Sequence, residues 1–192
     1  MKDMHVILAS GSPRRKALLD MVGISCEVCI PDIEENTDKT VPSEIVKDLS
    51  LQKALSVAPK YPGQAVLAAD TIVEIDGRIL GKPKTEDEAF SMLKMLSGRT
   101  HSVYTGVALI FPDGSRDSFY SETRVTMFDN SDDLIRDYIS TGEPMDKAGS
   151  YGIQGTGAYL VEKVDGDYGT IVGLPVSIVF RKLREYTLLH SK

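Results

Sequence analysis

Apolar and polar positions fall into blocks along the chain, and the period of each block predicts an element. Val6-Ile7-Leu8-Ala9 is an unbroken apolar run, as in a strand covered on both faces within a mostly parallel sheet. Ser10-Gly11-Ser12 ends it. Pro13 then suits the first position of a helix with Ser12 as N-cap, an apolar stripe of Ala17, Leu18, Met21 and Val22, and Gly23 as the stop. Residues 25–30 read as a second strand, and helical spacing returns over 43–58. Pro59 and Pro62 then lead to a buried strand over 65–69 that is expected to end at Asp70. Asp76-Gly77 suits a hairpin turn, and Lys82-Pro83 forces an extended link. Thr85-Glu86-Asp87-Glu88 is a capping box ahead of Ala89, Met92, Leu93 and Leu96 at helical spacing, with Gly98 as the stop. Rich β-branched and aromatic content over 100–111 and 116–128, split by Pro112-Asp113-Gly114, predicts a long antiparallel hairpin. A helix over 131–139, a glycine-rich loop over 149–157, a strand over 158–164 and a last helix over 175–186 complete the chain. The fold class expected is α/β (mixed α+β), a single domain over 1–192, in two lobes about a cleft.

Composition narrows what such a fold could serve. With 42% hydrophobic and 26% charged residues the chain is an ordinary globular sequence, long enough at 192 residues to bury a sizeable core without staples. A net charge of −6 argues against a general nucleic-acid binder, so any anion site must be local. No apolar run approaches the roughly 20 residues of a membrane span, and Met1 to His5 lack the layout of a secretory leader. The cytoplasm is the expected compartment. Cys26 and Cys29 form a C-x-x-C, but on a strand they point to opposite faces and no second Cys or His pair lies near, so two small apolar side chains are expected there.

Three charged positions break local rules. The first turn of a helix carries positive dipole charge, so Arg14 and Arg15 directly after Pro13 suit a bound anion, with Ser10, Ser12 and the loop amides as further donors for phosphate oxygens; the alternative is a solvated basic turn. Lys53 falls among Val46, Leu49 and Val57, on the stripe that should face the core. Either its stem snorkels outward or it meets carboxylates or phosphates. Asp70 ends an apolar strand, where α/β sheets commonly bind ligands and where Asp is also a common turn residue. Asp32, Glu34 and Glu35 form an acidic run that is either a solvated loop or a set of hard oxygen ligands suited to Mg²⁺ or Mn²⁺. The stretch Glu143 to Gly155 carries too many glycines and charges for core and reads as a binding loop, while His101 and His190 read as packing or surface residues.

Taken together, Ser10-Gly11-Ser12-Pro13-Arg14-Arg15, Ala69-Asp70-Thr71, Gly81-Lys82-Pro83, Ser97-Gly98-Arg99-Thr100-His101 and Glu143 to Gly155 resemble the Maf proteins, in order and over nearly the whole chain. The resemblance implies a long twisted mixed sheet with flanking helices and a cleft, related to the inosine triphosphate pyrophosphatases. It also implies metal-dependent hydrolysis of nucleoside triphosphates between the α- and β-phosphates. Position by position, Asp70 is similar to the family's proton acceptor, and Glu34, Lys53 and Lys82 to its metal- and phosphate-binding positions, with Asp70 also a metal ligand. Arg14, Thr71 and Gln154 resemble the specificity positions of the branch acting on dTTP and UTP. The expected cofactor is a divalent metal cation, Mg²⁺ or Mn²⁺. The expected partners are a nucleoside triphosphate and, as an option, a second copy in a homodimer, with no nucleic acid and no membrane.

The rival reading is a regulatory module that senses a nucleotide and acts on septum formation without turnover. On the sequence alone, Arg14→Ala and Lys53→Ala are expected to weaken triphosphate handling while leaving the melting temperature unchanged or slightly raised, because the folded chain by itself does not favour a cation at either place. Thermal melts of the two variants check this.

Overall fold

A computed structural model of the chain describes residues 4–190. Met1 to Asp3, on which part of the leader argument rests, lie outside the described residues. The elements are β1 (Met4–Ala9), α1 (Pro13–Met21), β2 (Ile24–Val28), α2 (Pro42–Val57), β3 (Val66–Ile75), β4 (Arg78–Leu80) and α3 (Glu86–Leu96), then β5 (Thr100–Ile110), β6 (Arg116–Met127), α4 (Asp132–Ser140), β7 (Val161–Asp165), α5 (Tyr168–Val172) and α6 (Val176–Leu189). Seven strands form one sheet in the order β2-β1-β3-β5-β6-β7, with β4 paired to β3. It is mixed: β1 is parallel to β2 and β3, whereas β4 runs antiparallel to β3 and β7 to β6. Among the described residues no helix is long and apolar enough to cross a membrane.

The chain divides into two compact units, one of Met1–Asp70, Thr105–Ser121 and Gly173–Lys192, the other of Thr71–Tyr104 and Glu122–Val172. Each has an apolar cluster of its own. In the first, Ile7, Ala9, Val66, Ala68, Ala108 and Ile110 on the strands pack with Ala54 and Val57 of α2. Helix and strand touch backbone to backbone here. A Cβ on Gly106 of β5 would lie 2.2 Å from the Val46 carbonyl of α2, so only glycine lets α2 come so close, and that approach fixes the helix that carries Lys53.

In the second unit, Leu93 and Leu96 of α3, Ile135 and Tyr138 of α4 and Tyr151 pack with Val103, Val125 and Met127 of the strands. Thr85 accepts from the Glu88 amide at 3.2 Å, while the Glu88 carboxylate takes the Lys84 amide at 2.6 Å, so the reciprocal half of the capping box falls one residue early. The hairpin turn is confirmed by left-handed backbone at Asp76 (φ 53°) and Gly77 (φ 76°).

Four expectations need correction. The strand after Pro62 does not end at Asp70 but runs on to Ile75, because Thr71-Ile72-Val73-Glu74-Ile75 is itself β-forming and pairs with β4. Ser12 sits at the N-cap with extended backbone, yet its hydroxyl makes no cap bond; its amide donates to Ser10 Oγ at 3.2 Å instead. On α1 the buried pair is Leu18 and Leu19, and Met21 is exposed. The last strand begins at Val161, since Thr156–Leu160 is a 3₁₀ turn, and a short α5, capped by Asp167 accepting the Thr170 amide at 2.7 Å, precedes α6. The two cysteines are free and half-buried.

His101 is buried rather than superficial, stacked edge-on to Tyr151 with Nε2 2.7 Å from its hydroxyl. Its Nδ1 is the one buried side-chain nitrogen or oxygen among the described residues without a hydrogen bond. Burial pulls its pKa from 6.5 down to about 4, so the ring folds neutral. The unfolded chain takes up that proton near 6.5 and the folded one only near 4, so stability is complete above the first value and falls as pH drops towards the second. The loss is on the order of 3 kcal/mol. Urea unfolding at about pH 7 and about pH 5 should show a steeper loss for the wild type than for His101→Gln; equal losses would contradict the assignment.

Candidate active site

Lys53 is the centre of the polar group in the first unit. Helix α2 turns its side chain onto the sheet, where Nζ lies 2.6 Å from Asp70 Oδ1 and 2.9 Å from Glu35 Oε2. Lys53 and Asp70 are each only 9% exposed, so the pair is removed from water while Glu35 remains open to it. The lysine therefore does not snorkel. Its stem fills the stripe among Val46 and Val57, and its charge is met by carboxylates within the fold. The stability expectation for Lys53→Ala is overturned by this contact: removing the ammonium strands Asp70 in a dry site.

Asp70 lies inside β3, directly after the fully buried Val66-Leu67-Ala68-Ala69. Its Oδ1 is committed to Lys53, and the second oxygen remains as an acceptor. The loop between β1 and α1 is bound together by Arg15, whose Nε donates to the Gly173 carbonyl at 2.8 Å and whose Nη1 donates to Ser10 Oγ at 2.9 Å. Burial pulls the Arg15 pKa below its usual value, with Asp70 and Glu35 opposing and Arg14 assisting, and an arginine stays charged even so. Arg15 thus braces Ser10 and the segment entering α6. Arg14 and Ser12, both half-buried, flank the same first turn.

Of the acidic run, the structure joins Glu35 to Lys53 and leaves Glu34 exposed one residue away. Coil backbone has no period, so nothing in the sequence could have chosen between them. Among the described residues no group of three or more His, Cys, Asp or Glu is placed to hold a metal. A closed protein cage is absent from that set. The two carboxylates about Lys53 fit the other mode, in which a hard cation is shared between one or two acids and the phosphates of a nucleotide.

The remaining candidates belong to the second unit. Thr71 follows Asp70 in β3, half-buried. Lys82 is exposed just after Gly81, whose carbonyl accepts the Gly149 amide at 3.1 Å and so ties that turn to the glycine-rich segment. Gly149 and Ser150 both have left-handed backbone (φ 68° and 63°), and a Cβ on Gly149 would sit 2.9 Å from Val73. Gln154 is half-buried, and its amide makes no hydrogen bond among the described residues.

The Maf-like protein family matches residues 5–186. The chain belongs to that family. Similar to this Maf-like chain are a dTTP/UTP pyrophosphatase of Bacillus cereus, 49% identical over 184 residues covering 95% of this chain and 96% of that one, and one of Bacillus mycoides, 48% identical over 182 residues covering 94% and 95%. A HAM1 protein of Coxiella burnetii is similar in structure, with a TM-score of 0.56 at 19% identity over 95% of this chain and 99% of that one. The last likeness concerns the fold, a mixed sheet with flanking helices.

The Maf-like site yields a stability test. Lys53→Met and Asp70→Asn should each destabilise the protein by about 3 kcal/mol, the cost of opening a buried ion pair. The double variant should recover part of that loss, with a coupling of about 1–3 kcal/mol. Additive losses in urea unfolding would show that the pair is not coupled.

Proposed function

We propose that the chain hydrolyses dTTP and UTP between the α- and β-phosphates, giving the nucleoside monophosphate and pyrophosphate, a house-cleaning reaction on nucleotides in the cytoplasm. The observation that carries the reading is the buried Asp70 held by Lys53 with Glu35 beside it; relatives near 49% identity bearing that activity in their names support the substrates.

In this reading a water oxygen bonds to the α-phosphorus, the bond to the bridging oxygen breaks, pyrophosphate leaves, and the water's proton goes to the free oxygen of Asp70. The ion pair with Lys53 fixes the orientation of Asp70 for that role. Arg14 and the hydroxyls of Ser10 and Ser12 offer donors to phosphate oxygens at the start of α1, with Arg15 holding the Ser10 hydroxyl in place, and Lys82 adds an exposed cation. Asp70 and an acid of the run Glu34-Glu35 are the residues that would hold a divalent Mg²⁺ or Mn²⁺ ion, which would supply charge neutralisation. Of the two acids, Glu35 has the geometry in its favour. Thr71 and Arg14 contribute to substrate choice, and the Gln154 amide reads the base: uracil and thymine present two carbonyl acceptors about the N3–H donor, and an amide offers both a donor and an acceptor.

Pyrophosphate release measured across the common triphosphates should favour dTTP and UTP over CTP and ATP by roughly tenfold or more, and EDTA should abolish it. Asp70→Asn should lower turnover by roughly 10² to 10⁴. Tight nucleotide binding without any pyrophosphate would replace the enzyme by a sensing module, and equal rates on UTP and CTP would remove the base reading.

A further inference from the structure

We propose that Glu143 is a positioning residue that sets base selectivity by clamping the segment 152–157, which carries Gln154; the inference rests on the base-reading role given to Gln154 above. Glu143 follows α4 across Gly142, whose left-handed backbone (φ 73°) turns the chain back on the helix. Both carboxylate oxygens are then taken up. Oε1 accepts from the Tyr138 hydroxyl at 3.0 Å and from the Gly157 amide at 3.3 Å, and Oε2 accepts from the Thr156 amide at 3.0 Å. Tyr138, fully buried on α4, in turn accepts the Gly152 amide at 3.1 Å. Gly152 on one side, and Thr156 and Gly157 on the other, are therefore held by one phenol–carboxylate pair. Ile153, Gln154 and Gly155 form the bight between them.

Three glycines let the segment lie directly on that clamp. A Cβ on Gly157 would stand 2.5 Å from the Gly152 carbonyl and 2.7 Å from the Tyr138 hydroxyl, one on Gly152 would stand 2.5 Å from Lys147 Cε, and one on Gly155 would stand 3.0 Å from Glu143 Oε2. Lys147 is itself fixed, donating to the Glu143 carbonyl at 2.6 Å and to Asp146 at 2.7 Å. Burial pushes the Glu143 carboxyl up, but the Thr156 and Gly157 amides, the Tyr138 hydroxyl and Lys147 outweigh it and hold the pKa below the usual value, so the group is ionised and acceptor-only, as three donors require.

Against this ordered frame, the Gln154 amide is left without a partner among the described residues. Uracil and cytosine differ by exchanging a donor and an acceptor on one edge. An amide tells them apart only if its backbone is fixed to within about 0.5 Å, because a free segment would let it adapt to either pattern. The substitution Glu143→Gln places an NH₂ against one of the amide donors, which opens the clamp while keeping the volume.

The test compares kcat/KM for UTP and CTP, and the inhibition constant of inorganic tripolyphosphate, in the wild type, Glu143→Gln, Tyr138→Phe and Gln154→Ala. Glu143→Gln should shrink the UTP to CTP ratio by about tenfold, and Tyr138→Phe by about threefold, while tripolyphosphate inhibition stays within about twofold. Amide exchange over 152–157 should rise in both variants. A merely structural role would lower both substrates alike. A folded Glu143→Gln with the wild-type ratio overturns the proposal; if that variant does not fold, Tyr138→Phe decides by the same ratio. Gln154→Ala separates the two ideas. A ratio lost there but kept in Glu143→Gln overturns the clamp and spares the base reading, a ratio kept there but lost in Glu143→Gln removes the amide as the reader and overturns the inference that rests on it, and a ratio kept in both overturns both.

Discussion

One ammonium between two carboxylates governs the chemistry of the first unit. Lys53 is only 9% exposed, so its charge is met largely inside the fold, by Asp70 and Glu35 at 2.6 and 2.9 Å. Each of the two acids gives something different. Asp70 is buried and oriented, with one oxygen committed and one available; Glu35 is exposed to solvent. The backbone contact at Gly106 keeps α2 close enough to the sheet for this meeting, so a main-chain constraint lies behind the ion pair.

Around that centre the structure sorts basic groups by task. Arg15 spends its fork on Ser10 and the Gly173 carbonyl, and serves as a brace for the β1–α1 loop. The second unit follows the same logic without charge burial. There a single carboxylate, Glu143, gathers amides that helical or sheet pairing does not use and shapes a glycine-rich segment around Gln154.

Much of this could be read from the sequence, and the parts that could not share a cause. Helices α3 and α4 announce themselves by capping residues and period, α2 by its period and the prolines that follow it, and β1 by its unbroken apolar run, so their positions held to within a residue or two. Lys53 was legible as an anomaly because it interrupts an apolar stripe. Its partner Glu35 was not, because 29–41 is coil and only the folded chain says which acid turns inwards. The end of β3 was misplaced for a related reason: Asp70 looks like a strand terminus by composition, whereas a partner charge lets an acid sit inside a strand. Glu143 belonged to a stretch recognisable as a loop, but its role depends on Tyr138 and on amides up to 14 residues away, which no local pattern encodes.

In the proposed reaction water attacks the α-phosphorus and not the β-phosphorus. Hydrolysis of UTP in water enriched in ¹⁸O, followed by mass analysis of both products, tests the point of attack directly. Attack at the α-phosphorus puts one labelled oxygen in the uridine monophosphate and none in the pyrophosphate. Label in the pyrophosphate, or release of inorganic phosphate in its place, would contradict it.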